Sequence, residues 1–361
     1  MKGATMANDE TTPAPRTPVE LGLDTFGDMT VDPDGEPKSY GQVLRDVVDQ
    51  AVLADRVGID FIGLGEHHRS DFAISAPDIV LAGIAGRTDR IKLGTAVTVL
   101  SSDDPIRVFE RFSTLDAISN GRAEVIIGRG SFTESFPLFG HDLADYEVLF
   151  NEKLSIFAQA RRGDPVTWSG THRTPLTEQV LYPGVEKPGG LTAWIGVGGS
   201  PESVIRSVQS QIPMMLAIIG GDPARFTPFV QLYRRAQQEL HVDPMPLGAH
   251  SPGHVADTDE AAADQLWPHF KHNRDTIGRD RGWPEVTRDE YDAEVAGGSL
   301  YVGSPETVAR RIARTVGLLG LDRFDLKYAN GPMPHEQLLH SIELYGTAVI
   351  PRVRELLAGT A

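Results

Sequence analysis

The sequence predicts an α/β protein built as a single (β/α)8 TIM barrel with insertions on its C-terminal, active face. Two observations carry that expectation. Eight strand-like runs alternate with helical patterns, and most of the runs are apolar nearly throughout, as strands covered on both faces are. A length of 361 residues accommodates one such barrel with room for insertions. An open, doubly wound sheet shares the alternation and stands as the competing architecture.

Taken in order, residues 1–18 are polar, contain Pro13, Pro15 and Pro18, and are expected to form a disordered tail ahead of a barrel spanning 19–361. The tail has no apolar run of the roughly 7–15 residues a signal peptide needs. Nothing in the chain approaches the roughly 20 apolar residues of a membrane span, so a cytoplasmic location is expected. The first strand is read at 19–26. A helix follows at 39–57, where Val43, Leu44, Val47, Val48, Ala51 and Val52 repeat at helical spacing. Ser39 with Gln42 predicts a capping box, and Gly58 a stop. Further strands are read at 59–64, 91–100, 123–127, 193–197, 213–219, 247–254 and 323–328. Ser200-Pro201-Glu202 and Ser304-Pro305-Glu306 each place an N-cap serine, a first-turn proline and an acid at a helix start. Segments 163–190 and 270–298 are read as insertions on the active face, supplying a lid or substrate walls.

A net charge of −16 argues against nucleic acid or an anionic membrane as partner. Zero cysteines exclude disulfides, thiolate metal sites and a cysteine nucleophile.

Candidate chemistry gathers where strands end. Glu66, His67 and His68 follow the second strand. A metal pair, two histidines bonded only within their loop, and one imidazole working as acid or base in a pocket all fit those residues. Adjacent strand residues diverge, which weighs against metal. After the fourth strand, Gly128-Arg129-Gly130-Ser131 lets backbone approach a ligand while Arg129 reaches an anion; a tight turn with a surface arginine gives the same pattern. After the fifth, Gly198-Gly199-Ser200 opens a helix with free N–H groups suited to phosphate, although the spacing is not a full dinucleotide motif. Together they imply an anionic cofactor such as a phosphorylated flavin.

In order and spacing these segments resemble the bacterial luciferase-like family of flavin-dependent monooxygenases and its deazaflavin-dependent relatives. The matching pieces are Gly65-Glu66-His67-His68, Gly94 to Leu100 with Asp104-Pro105-Ile106-Arg107, Leu115 to Arg122 leading into Gly128-Arg129-Gly130, Gly198-Gly199-Ser200, and Val302-Gly303-Ser304-Pro305-Glu306. The resemblance implies catalytic acid–base work for His67 and no catalytic metal. It implies a non-prolyl cis bond at Ala96–Val97 under the flavin ring, with Arg129 and the backbone of Gly198, Gly199 and Ser200 on the flavin phosphate. The implied reaction uses FMN, reduced by a separate flavin reductase, and O2 to oxygenate a small organic substrate; a homodimer is implied as well. Hydride transfer with F420, or flavin binding without catalysis, are the alternatives. Gly128 departs from the family's light-emitting subunit, which has a reactive cysteine there, and Ile218 stands where that subunit has a tryptophan.

Overall fold

The computed structural model describes residues 18–32, 34–130 and 132–359. The tail expected over 1–18 therefore lies, Pro18 apart, outside the described residues. Eight parallel strands form the barrel when the two halves of the third are counted as one: β1 Glu20–Thr25, β2 Phe61–Leu64, β3 Lys92–Thr95 resumed at Thr98–Val99, β4 Glu124–Gly128, β5 Thr192–Val197, β6 Met214–Ala217, β7 Leu247–Val255 and β8 Arg323–Lys327. β8 pairs with both β7 and β1. The ring closes between β3 and β4, where Thr98 aligns with Ile127 and the Leu93 N–H donates to the Arg122 carbonyl at 2.9 Å. All eight lie where the sequence places them, and closure decides against the open sheet.

Helices wrap the outside: α1 Tyr40–Arg56, α2 Pro77–Ala85, α3 Pro105–Ile118, α4 Tyr146–Ala160, α5 Pro201–Gln209, α6 Thr227–Glu239, α7 Asp259–Arg281, α8 Arg288–Gly297 and α9 Pro305–Leu319. The apolar stripe of α1 buries Val43, Val47, Ala51 and Ala54. The expected capping box at its start is only half formed. Ser39 Oγ accepts from the Gln42 N–H at 3.2 Å, but the Gln42 side chain donates forward to Asp46 at 2.8 Å, a charged acceptor one turn on. Ser200 caps α5 as expected, accepting from the Ser203 N–H at 3.2 Å. Ser304 does not cap α9 with its side chain; its hydroxyl donates to Thr307 and its N–H to Asp259 at 2.6 Å.

The barrel interior is layered. At the amino end Lys92 pairs with Glu20 and Glu124, and Arg323 with Glu124 (2.7 Å) and Asp325 (2.9 Å). Phe61, Ile126, Trp194 and Met215 pack as a small apolar cluster above, with Val97 against it. Gly22 makes room here, since a Cβ on it would stand 2.2 Å from the Asp325 carboxylate.

The two insertions differ from expectation in instructive ways. Segment 163–190 follows a helix, so it leaves and rejoins the barrel at the amino end, where Lys187 donates to the Ala123 carbonyl. Its antiparallel hairpin, Val166–Trp168 with Leu176–Gln179, nevertheless reaches the carboxyl-end rim, where Arg173 pairs with Asp104. Segment 270–298 does follow a strand, and it is mostly helix: the second half of α7, then α8, which opens with a complete capping box between Thr287 and Glu290.

Candidate active site

β2 ends at Leu64, and the three residues of the histidine motif turn into the barrel mouth. The Glu66 carboxylate accepts from His68 Nε2 at 3.0 Å and from the Val99 N–H at 3.1 Å, fixing the histidine to the resumed half of β3. That bond holds the His68 imidazole above its ordinary pKa, against the opposing effect of burial. His68, Glu66, Asp78, Asp103 and Arg111 line a polar cavity of about 160 Å³ beside the mouth. A histidine whose folded pKa is raised stabilises fully below its unfolded value and loses that contribution as pH rises through the folded one. Glu66→Gln is therefore expected to reduce the alkaline fall in thermal stability, read from melting curves across the histidine range.

His67 points elsewhere. Its ring sits among Phe26, Phe72 and Phe132, with centroids 4.9, 4.6 and 4.9 Å away, and Nδ1 lies 3.5 Å from the Glu134 carboxylate. Phe132 is itself held between the guanidinium groups of Arg69 and Arg281, at 4.9 and 4.8 Å. Arg69 pairs with Asp280 at 2.8 Å, so the end of α7 covers this side of the mouth. The two histidines thus serve different pockets. Among the described residues no group of three or more His, Cys, Asp or Glu is placed to hold a metal ion.

The Ala96–Val97 peptide is cis and separates the halves of β3. Val97 faces inward against the apolar cluster, and a Cβ on Gly128 would stand 2.7 Å from its Cγ2. Glycine at 128 is what lets Val97 occupy that wall.

Arg129, just past β4, meets the start of α5 through Ser203, which Ser200 caps; Gly198 and Gly199 lie between β5 and that cap. The guanidinium of Arg129 meets the Glu147 carboxylate and donates to Ser203 Oγ at 3.3 Å. Arg206 donates to the other Glu147 oxygen at 3.1 Å and to the same Ser203 hydroxyl at 3.3 Å, and Ser200 Oγ donates to Ser203 Oγ at 2.8 Å. Two cations converge on one oxyanion, which the protein supplies from its own Glu147, and both also hold the Ser203 hydroxyl at the start of α5. A phosphate is the same kind of acceptor, and a Cβ on Gly198 would meet nothing within 4 Å, so the cradle fits a phosphorylated cofactor. Sequence reading singled out Arg129 and the glycines as candidates but not Ser203 and Arg206, which bond with Arg129, Ser200 and Glu147. Their spacing from Ser200 was the available signal, since positions 200, 203 and 206 share one helical face.

A family model described as luciferase-like monooxygenase matches residues 25–323. The N-acetyl-S-alkylcysteine monooxygenase of Bacillus subtilis (strain 168) is 26% identical over 303 residues, covering 80% of this chain and 88% of that protein. Among solved structures, the oxygenating constituent of 3,6-diketocamphane monooxygenase from Pseudomonas putida, in complex with FMN, superposes with a TM-score of 0.73 at 19% identity, over 93% of this chain and 99% of that one. An F420-dependent secondary alcohol dehydrogenase in complex with an F420-acetone adduct superposes with a TM-score of 0.70 at 16% identity, again over 93% and 99%.

Proposed function

The chain belongs to the luciferase-like monooxygenase family, and from that premise we propose that it is an FMN-dependent monooxygenase. It takes FMN reduced by a separate reductase, uses O2, and oxygenates a small organic substrate. The observation that carries the choice of cofactor is the paired-arginine cradle. Arg129 and Arg206 bring two positive charges to one oxyanion position, which suits the dianionic terminal phosphate of FMN better than the singly charged phosphodiester of F420. When bound, a reduced flavin supplies the electrons that activate dioxygen.

The chain's own residues do the rest. Arg129, Arg206, Ser200 and Ser203 would hold the phosphate, in the place Glu147 takes on the two arginines. Ala96 and Val97 offer a flat apolar wall for the ring. Phe132, pinned between Arg69 and Arg281, keeps water from His67. His67, oriented by Glu134, holds or releases a proton at Nε2.

The deciding experiment titrates the protein with FMN, FMNH2 and F420 and then follows oxygen uptake with and without a reductase. Tight, selective F420 binding with no oxygen consumption would sink the proposal in favour of hydride transfer, and flavin binding without turnover across a substrate panel would favour a non-catalytic role. Arg206→Gln is expected to weaken FMN binding by about 10- to 150-fold, since a hydrogen bond to a charged group contributes roughly 1.5–3 kcal/mol. Riboflavin, which lacks the phosphate, should lose little. Glu147→Gln should tighten FMN binding, because the competing carboxylate is gone; both are read by flavin fluorescence titration.

A further inference from the structure

We infer that His250, oriented by Asp24, is a second proton-donating catalytic residue, acting from the floor of the barrel mouth on an oxygen atom of the bound ligand. The inference rests on the proposed oxygenase reading for the ligand, and on geometry alone for the dyad. Along β7 the neighbours of His250 face outward: Ala249 joins the outer core and Ser251 Oγ donates to the Ile218 carbonyl at 2.8 Å. Strand alternation therefore turns His250 inward. Along β1, Leu21 and Leu23 face outward and Asp24 inward in the same way. The two meet across β8, with His250 Nδ1 2.6 Å from Asp24 Oδ2.

Asp24 is fully buried, yet the His250 side chain is 14% exposed. Beneath it the interior is filled by Arg323, Glu124, Asp325 and the Phe61 cluster, so solvent reaches the imidazole only through the open mouth. Among the described residues Nε2 has no hydrogen-bond partner, and neither has the buried Asp24 Oδ1. A Cβ on Gly63 would stand 3.2 Å from Asp24 Cβ and 3.0 Å from Ala96 Cβ, which sets the dyad beside the cis peptide. Phe26 divides this pair from the first, with its ring 4.9 Å from His67 on one side and 4.7 Å from Lys327 Nζ on the other.

The charged groups around His250 are Asp24 from β1 and Asp325 and Lys327 from β8, the lysine being held by Asp28 at 3.2 Å. Burial disfavours the imidazolium, but the Asp24 carboxylate outweighs it and raises the pKa. In the transfer, the Nε2–H bond breaks and its electron pair stays on the ring. The proton passes to the ligand oxygen, Nδ1–H remains on Asp24, and solvent restores the proton through the mouth.

The test uses the full chain loaded with FMNH2. Oxidation by O2 is followed by absorbance without substrate across pH, beside a histidine Cε1–H NMR titration of the free protein. In the wild type the rate should fall as pH rises through the His250 titration, which NMR places above an ordinary imidazole. His250→Gln should lose that pH break and run about 100-fold slower at low pH, with FMN affinity within a few-fold. Asp24→Asn should move the break down by about one unit or more. An unchanged profile in His250→Gln, or an ordinary titration of His250 in the wild type, overturns the inference while flavin oxidation itself stands. A wild type that binds no FMN overturns the oxygenase reading and the donor role with it.

Discussion

His67→Ala is expected to lower the rate of flavin-dependent oxygenation by about 100- to 10,000-fold, the usual worth of a positioned acid or base, while FMN affinity stays within a few-fold. The separation follows from where the ring stands. His67 contacts Phe26, Phe72, Phe132 and Glu134, whereas the phosphate cradle is built from Arg129, Arg206, Ser200 and Ser203. Removing the imidazole empties a space between three rings without touching a cradle residue. His67→Gln is the companion variant, because it keeps most of the volume and removes the imidazole that would carry the proton. Stopped-flow oxidation of bound FMNH2, with and without members of the substrate panel, supplies the rates. Equal turnover in both variants and the wild type would remove His67 from the chemistry.

Arg323→Ala is expected to destabilise the fold by about 3–5 kcal/mol, the penalty for breaking a buried ion pair from one side. Arg323 is 1% exposed, binds Glu124 and Asp325, and lies 3.4 Å over the Phe61 ring. Glu124 would keep Lys92 at 3.3 Å and the Trp194 Nε1–H at 3.2 Å. Asp325 would keep no cation within bonding reach, and its carboxylate would be buried as a charge. An acid whose folded pKa is raised is penalised more as pH rises past its unfolded value, so the variant should regain stability toward acid, opposite to the usual acid loss. Urea unfolding at several pH values measures both. A loss under about 1 kcal/mol, the size of an exposed pair, would show the network to be peripheral.

The barrel was legible because parallel strands covered on both sides read as short apolar runs. Even Lys92, Glu124 and Arg323 sit at strand starts, where one inward charge does not hide the pattern. The α7 helix was hidden by the charges along it and by Pro268, which reads as a break although the helix runs through it. The site was half legible. His67, Ala96, Val97, Arg129, Gly198, Gly199 and Ser200 all lie in short segments whose local chemistry is visible. The Asp24–His250 pair is separated by 226 residues and exists only once β1 and β7 flank β8 in a closed ring. Glu134 and Arg206 are similar cases, ordinary charged residues until a loop or a neighbouring helix gives them something to hold.

The hairpin of 166–179 leaves the barrel at one end and touches the other through the Arg173–Asp104 pair. Val166 and Trp168 root it in the core, so for engineering the exposed turn between its strands is the place to shorten it or splice in a reporter, remote in sequence from Arg129, Phe132 and Glu134. Shortening that turn removes the Arg173–Asp104 pair and should alter access to the mouth, leaving its chemistry in place.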